Sequence, residues 1–373
     1  MIKSFFFLIV YISGVVQSQS ITPTNKWIGR STLIAQRFYQ VYTPGWEGAN
    51  GAIGDAYLFR ATKDSSLLNR YRHQFILLNM FNGTWVDDRA WICLAELYWW
   101  DFSGRKHQEW VNDAKKRYME ARTEGRLSKH EGFWSWYNYP PHWNTGEQLI
   151  TNSNMNQLVT VACKLFEATG DRRFLNDALM VWNGDGTTPG IEKTFYAGNG
   201  IWKGKGGAAA FGKQLPWESA SYLSVLASLY HATKDPKYKT IAVASAKHII
   251  DPKNKWLHPD DYYQIHMDGN GAFVQYLLDA YEIAPKELFM IPGIVEKMLE
   301  HVWTNNRGKA TVQLHRETDH AIRNGWNPNG GEDGYGVDEI GTVHAQSQAL
   351  RAFGVFAYFY TIAGPQRNNI KKQ

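Results

Sequence analysis

The sequence predicts an all-α protein, an (α/α)6 toroid of six helical hairpins. Three observations carry that prediction. Six unusually apolar runs rich in small residues recur at roughly 48–61, 88–102, 154–169, 218–233, 270–284 and 343–362. More charged, amphipathic runs lie between them, at roughly 28–42, 65–80, 105–122, 172–183, 236–250 and 286–303. Three near-identical tetrapeptides mark the step from the first kind to the second: Ala61-Thr62-Lys63-Asp64, Ala168-Thr169-Gly170-Asp171 and Ala232-Thr233-Lys234-Asp235.

The apolar runs are the inner helices. Ala220-Ser221-Tyr222-Leu223-Ser224-Val225-Leu226-Ala227 is apolar nearly all round, as a helix buried on several sides must be. The charged runs are the outer helices; Asp113-Ala114-Lys115-Lys116-Arg117-Tyr118 keeps one apolar stripe and one solvated face. Short steps from inner to outer helix favour antiparallel neighbours. The returns are long and irregular, for example 123–153, 184–217 and 304–342. All the long loops then gather where the inner helices begin, so the active site is expected at those amino ends. Lys309 to Leu314 is the one strand candidate, and no linker splits 19–373 into two domains.

Residues 1–18 read as a secretory signal peptide. Lys3 is the charged start, Ser4 to Val16 an apolar stretch shorter than the ~20 residues a membrane span needs, and Ser18 a small residue suited to cleavage. The polar end Asn368-Asn369-Ile370-Lys371-Lys372-Gln373 lacks the apolar tail of a lipid-anchor signal. A secreted, extracellular monomer without a membrane anchor is the expectation. Forty basic and 35 acidic side chains are scattered without a basic stripe, which argues against a nucleic-acid partner. Cys93 and Cys163, the only cysteines, sit inside apolar helical runs and read as buried thiols. No Cys/His spacing suits zinc, and no cofactor is expected.

Chemistry concentrates in Trp85-Val86-Asp87-Asp88-Arg89-Ala90-Trp91, at the start of the second inner helix. Two carboxylates bracketed by flat apolar rings suit glycosidic-bond cleavage: one acid attacks, the other moves the proton, and the rings hold a sugar. The structural alternative is that one Asp caps the helix while the other is solvated.

The same residues resemble glycoside hydrolase family 76, the secreted α-1,6-mannanases, whose hallmark is adjacent aspartates followed by Ala-Trp at a helix start. Gly132-Phe133-Trp134-Ser135 is similar to the family's Gly-Gly-Ile-Trp turn. Asn156-Gln157-Leu158 with Ala162-Cys163-Lys164-Leu165 resembles its Asn-Glu-Leu run, and Ser347-Gln348-Ala349-Leu350 its final-helix Ser-Ala-Leu signature. The resemblance implies an endo-acting, retaining enzyme on α-1,6-mannan, with Asp87 as nucleophile and Asp88 as acid/base. Two departures fall on the expected mouth. Trp217-Glu218-Ser219-Ala220 stands where Tyr-Asn-Gln-Gly is common, and Asn270-Gly271 where Lys-Gly is usual.

Candidate sugar contacts at the mouth are Trp46, Trp85, Trp134, Trp136, Tyr139, Trp143, Asn154, Asn156, Trp217, Glu218, Asp268 and Trp326. Glu218 reads equally as a solvated helix-start acid. The acidic loop 331–339 lacks the ligand spacing of a calcium loop and reads as a solvated cleft wall. Asn82-Gly83-Thr84 is a glycosylation sequon just before the acid pair. The alternatives to an α-mannan hydrolase are a cell-wall transglycosidase using the same covalent intermediate and a mannan-binding protein without turnover. A toroidal enzyme of unsaturated uronides would need a basic cluster at the mouth, and none is evident.

Overall fold

The computed structural model describes residues 23–80, 86–124, 152–186, 189–203, 216–253, 270–305 and 343–370. Inner helices α2 (Trp46–Thr62), α4 (Val86–Phe102), α6 (Asn152–Thr169), α9 (Pro216–Thr233), α11 (Asn270–Ile283) and α13 (Val343–Ile370) each pack on the next, and α13 closes on α2. That closed ring is the predicted (α/α)6 toroid. Around it lie α1 (Pro23–Gln40) against α13, α3 (Ser65–Met80) against α2, and α5 (Gln108–Glu124) against α4. Then come α7 (Arg172–Asn183) against α6, α10 (Pro236–Ile249) against α9, and α12 (Ile291–Asn305) between α11 and α13. No helix among the described residues is long and apolar enough to cross a membrane.

The tetrapeptide repeat has a physical explanation. Thr62, Thr169 and Thr233 donate their hydroxyls to Leu58, Leu165 and Leu229 carbonyls, at 2.9, 2.7 and 2.6 Å. Lys63, Gly170 and Lys234 follow in the left-handed region and end the inner helix, their N–H groups bonding back to Phe59, Phe166 and Tyr230. Asp64, Asp171 and Asp235 then accept from the N–H of Ser66, Arg173 and Lys237, opening the outer helix. Each Thr-X-Asp stops one helix and starts its antiparallel partner, so the hairpins are written locally.

Elsewhere the boundaries move. Pro285 to Met290 form turns, and α12 begins at Ile291 rather than 286. Pro292 has no N–H to donate and is tolerated only in a helix's first turn. α13 runs past residue 362 to Ile370. A short helix α8 (Ile191–Phe195) leads into a hairpin of β1 (Tyr196–Gly198) and β2 (Ile201–Trp202), which the helical pattern did not anticipate. Its signal was the Asn199-Gly200 turn, both residues with positive φ. Trp202 anchors the hairpin by stacking on Tyr222 of α9 at 3.7 Å and donating its Nε1–H to Ser245 Oγ at 2.9 Å. The strand candidate at Lys309 to Leu314 and the leader 1–18 lie outside the described residues.

Many tryptophans serve the core. Trp27, Trp99, Trp110 and Trp182 are fully buried. Cys93 and Cys163 are both free, buried thiols. Where α2 crosses α13 the backbones nearly touch: a Cβ on Gly54 would lie 2.5 Å from the carbonyl of Leu350. Glycine is required there for space, not for conformation.

Candidate active site

α4 opens the site. Asp87 and Asp88 occupy its first turn, where backbone N–H groups lack helical partners. Asp87 Oδ1 accepts one of them, the Asp88 N–H, at 3.1 Å. The two side chains differ in environment: Asp87 is half-buried, whereas Asp88 is 9% exposed. Burial pushes the Asp88 carboxyl up to about 8, and the charges of Asp87 and then Glu47 add to the rise. One acid is therefore kept protonated at neutral pH beside a second carboxyl.

The neighbouring inner helix contributes Trp46 and Glu47. Tyr57 of α2 meets Tyr98 of α4, with ring centroids 5.2 Å apart. About three turns back along each helix returns to the same face, and reaches Trp46 on α2 and Asp87 on α4. Trp46, half-buried against the core, thus stands level with Asp87 at the amino ends of the ring.

Arg351 braces the layer below. It has no exposed surface, and its guanidinium stacks on Trp91, 4.5 Å from the ring centroid. Nη1 donates to Asn50 Oδ1, and Nε donates to Gln275 Oε1 at 2.7 Å. Asn50 in turn donates to the Trp46 carbonyl at 2.9 Å, and Gln275 to the Tyr98 hydroxyl at 2.5 Å. One buried cation on α13 so ties α2, α4 and α11 together under the acid pair. Burying a guanidinium is costly unless its donors are engaged; here amide oxygens take Nε and Nη1, and the rings of Trp91 and Tyr276 cover the plane, while Nη2 has no hydrogen-bond partner among the described residues.

Asn156 of α6 is 1% exposed and donates to Ser221 Oγ at 2.6 Å, while its Oδ1 has no hydrogen-bond partner among the described residues. With Leu94, Tyr98, Ser221, Gln275 and Arg351 it lines a small crevice at the ring's centre. Asn154, Trp217 and Glu218 belong to α6 and α9, but their side chains are outside the described residues. Trp85, Trp134, Trp136, Tyr139, Trp143, Asp268, Trp326, the sequon at Asn82 and the acidic loop 331–339 also lie outside them. Sequence reasoning missed Glu47, Asn50 and Arg351, and it read Trp91 as a face for a sugar where the structure buries that ring against Arg351. The available signal was Arg351, a lone charge in an otherwise apolar run, which must be paired if buried.

Neither the family models nor the curated proteins give a match to this sequence. Solved structures do. The chain matches an α-1,6-mannanase of Salegentibacter sp. HEL1_6 with TM-score 0.69 at 14% identity, over 89% of this chain and 99% of that one. It has the fold of the family 76 glycoside hydrolases. A family 76 mannosidase from Bacteroides thetaiotaomicron matches with TM-score 0.65 at 14% identity, over 92% of this chain and all of that one. Dfg5 from Chaetomium thermophilum, in complex with glucosamine, matches with TM-score 0.68 at 14% identity, over 92% and 93%. The Salegentibacter family 76 enzyme is also known as an inactive variant, with two adjacent aspartates changed to asparagine, bound to α-1,6-mannotriose.

Proposed function

We propose that this protein is a secreted, endo-acting glycosidase that cleaves α-1,6-mannan backbones with net retention. The observation that carries the reading is the split of the acid pair into a buried, protonated Asp88 and a more open Asp87 at one helix start. The mannanase rendered inactive by changing two adjacent aspartates, on the same fold, supports it.

Asp87 attacks the anomeric carbon as a carboxylate. The bond from that carbon to the glycosidic oxygen breaks, and Asp88 gives its proton to the departing oxygen. Asp88, now a base, takes a proton from water, whose oxygen displaces Asp87 and restores both groups. Retaining enzymes hold their carboxyl groups ~5–5.5 Å apart, and Asp87 and Asp88 share the first turn of α4. Trp46 provides an apolar face level with Asp87, and the mouth candidates from the loops extend the subsite.

A second reading keeps the same covalent intermediate and passes it to a sugar acceptor. The likeness to Dfg5 holding an amino sugar favours considering it. One experiment tests both. Mature protein is incubated with linear α-1,6-mannan, with and without short mannose acceptors, beside Asp87→Asn and Asp88→Asn. Short oligomers from the wild type alone support the hydrolase, and products longer than the acceptor support transfer. Mannan binding without any product overturns the enzyme reading.

A further inference from the structure

We propose that Glu47 is a third acidic residue of this site, a positioning residue whose charge governs when Asp88 releases its proton. The catalytic consequence rests on the function proposed above; the placement does not. α2 and α4 are neighbours in the ring, and the Tyr57–Tyr98 contact sets them level. Glu47 and Asp88 are equally far from that contact, each in the first turn of its helix. Asp88 is buried and Glu47 half-buried, so a charge at that height acts on Asp88 partly through protein, where it is less screened than in water. Glu47 indeed adds to the rise that burial begins and Asp87 reinforces.

The other charged groups around these helices do not reverse the effect. Arg89 follows Asp88 on α4 and is also buried. Arg351 of α13 stacks on Trp91, one turn further in. α5 brings Arg117, held by Asp113 and Glu96, and α6 brings Lys164, over the ring of Tyr98. α3 brings Arg70, paired with Asp55. Even so, the Asp88 carboxyl stands high, so the two anions and burial prevail over the cations.

Glu47 has a particular part in a two-step reaction. Once the sugar esterifies Asp87, the Asp87 charge is gone and the push on Asp88 from that side vanishes. Asp88, which gave its proton to the leaving oxygen in that step, is then more easily held as a carboxylate and can serve as base. Glu47 remains, so the acid keeps a floor of proton affinity through both steps.

The test reads Asp88 itself. In the free protein, the infrared band of a protonated carboxyl that Asp88→Asn removes is followed against pH in wild type, Glu47→Gln and Glu47→Asp. Removing one anion from a poorly screened position is expected to lower the midpoint by about one pH unit in Glu47→Gln. Glu47→Asp, with its charge withdrawn by one methylene, should fall between. On mannan the alkaline limb of kcat/KM should move by the same amount, about a tenfold loss at pH 9 with little change at pH 5. An unmoved midpoint in the folded variants overturns the proposal, and Glu47→Asp alone decides it if Glu47→Gln does not fold. A shifted midpoint without mannan cleavage by wild type upholds Glu47 and overturns the proposed function. Cleavage with an unmoved midpoint does the reverse.

Discussion

Gly54→Ala offers a test in which two known effects oppose each other. In an ordinary helix the change would stabilise by about 1 kcal/mol, because alanine is the better helix former. Here the added methyl would sit 2.5 Å from both carbonyl atoms of Leu350 and 2.6 Å from the Arg351 nitrogen. Carbon contacts are comfortable only at ~3.5 Å or more, so α2 and α13 must part by about 1 Å. The obstruction is backbone, which no rotamer change relieves. Overpacking of this kind costs about 1–3 kcal/mol, and the rigid contact argues for the upper end. The net expectation is a loss of about 2 kcal/mol, or a Tm fall of about 4 °C at ~2 °C per kcal/mol for a large domain. Gly29 of α1 is the control, since a Cβ there meets nothing within 4 Å; Gly29→Ala should gain up to about 1 kcal/mol. Thermal and urea unfolding followed by circular dichroism would measure both. A Gly54→Ala protein as stable as wild type would refute the close-crossing argument.

Other outcomes follow from the acid pair and its support. Asp88→Asn should reduce mannan cleavage by about 10²–10⁴-fold, and wild-type kcat/KM should decline above about pH 8 as Asp88 loses its proton. The same carboxyl has a stability signature. Its folded pKa is raised, so the folded chain holds a proton that the unfolded chain has released, and stability falls as pH rises from about 4 to about 8. Asp88→Asn, neutral throughout, should therefore match wild type in Tm below that window and exceed it increasingly through it. Trp202→Ala should cost about 3–5 kcal/mol by removing the hairpin's stack on Tyr222, measurable by urea unfolding.

What was legible in the sequence was local. The helices showed through their periodicity, and the Thr-X-Asp hinges through hydrogen bonds that span four residues or fewer. Asp87 and Asp88 were visible because the pair is contiguous and opens a helix. Glu47, Asn50 and Arg351 were not, because their importance arises only where helices from opposite ends of the chain meet. Arg351 reaches Asn50 across 301 positions, and no window of sequence holds both. The β1–β2 hairpin carried its Asn199-Gly200 signal within a long connection otherwise without pattern, so it was lost in the loop.

The same long-range bond bears on how the molecule comes to be. Helical proteins usually assemble quickly from contacts close in sequence, and five of the six junctions in this ring join consecutive inner helices. The sixth joins α2 to α13 and must wait for nearly the whole chain. Until it forms, Arg351 has neither Asn50 beside it nor a closed wall around it, and α2 lacks its brace beneath Trp46. Closure thus sets Arg351 beneath the two helix starts that carry Glu47 and Asp88. On the proposed function, a chain whose α13 is not docked on α2 should lose activity, because the brace under Trp46 and the acid pair is then missing.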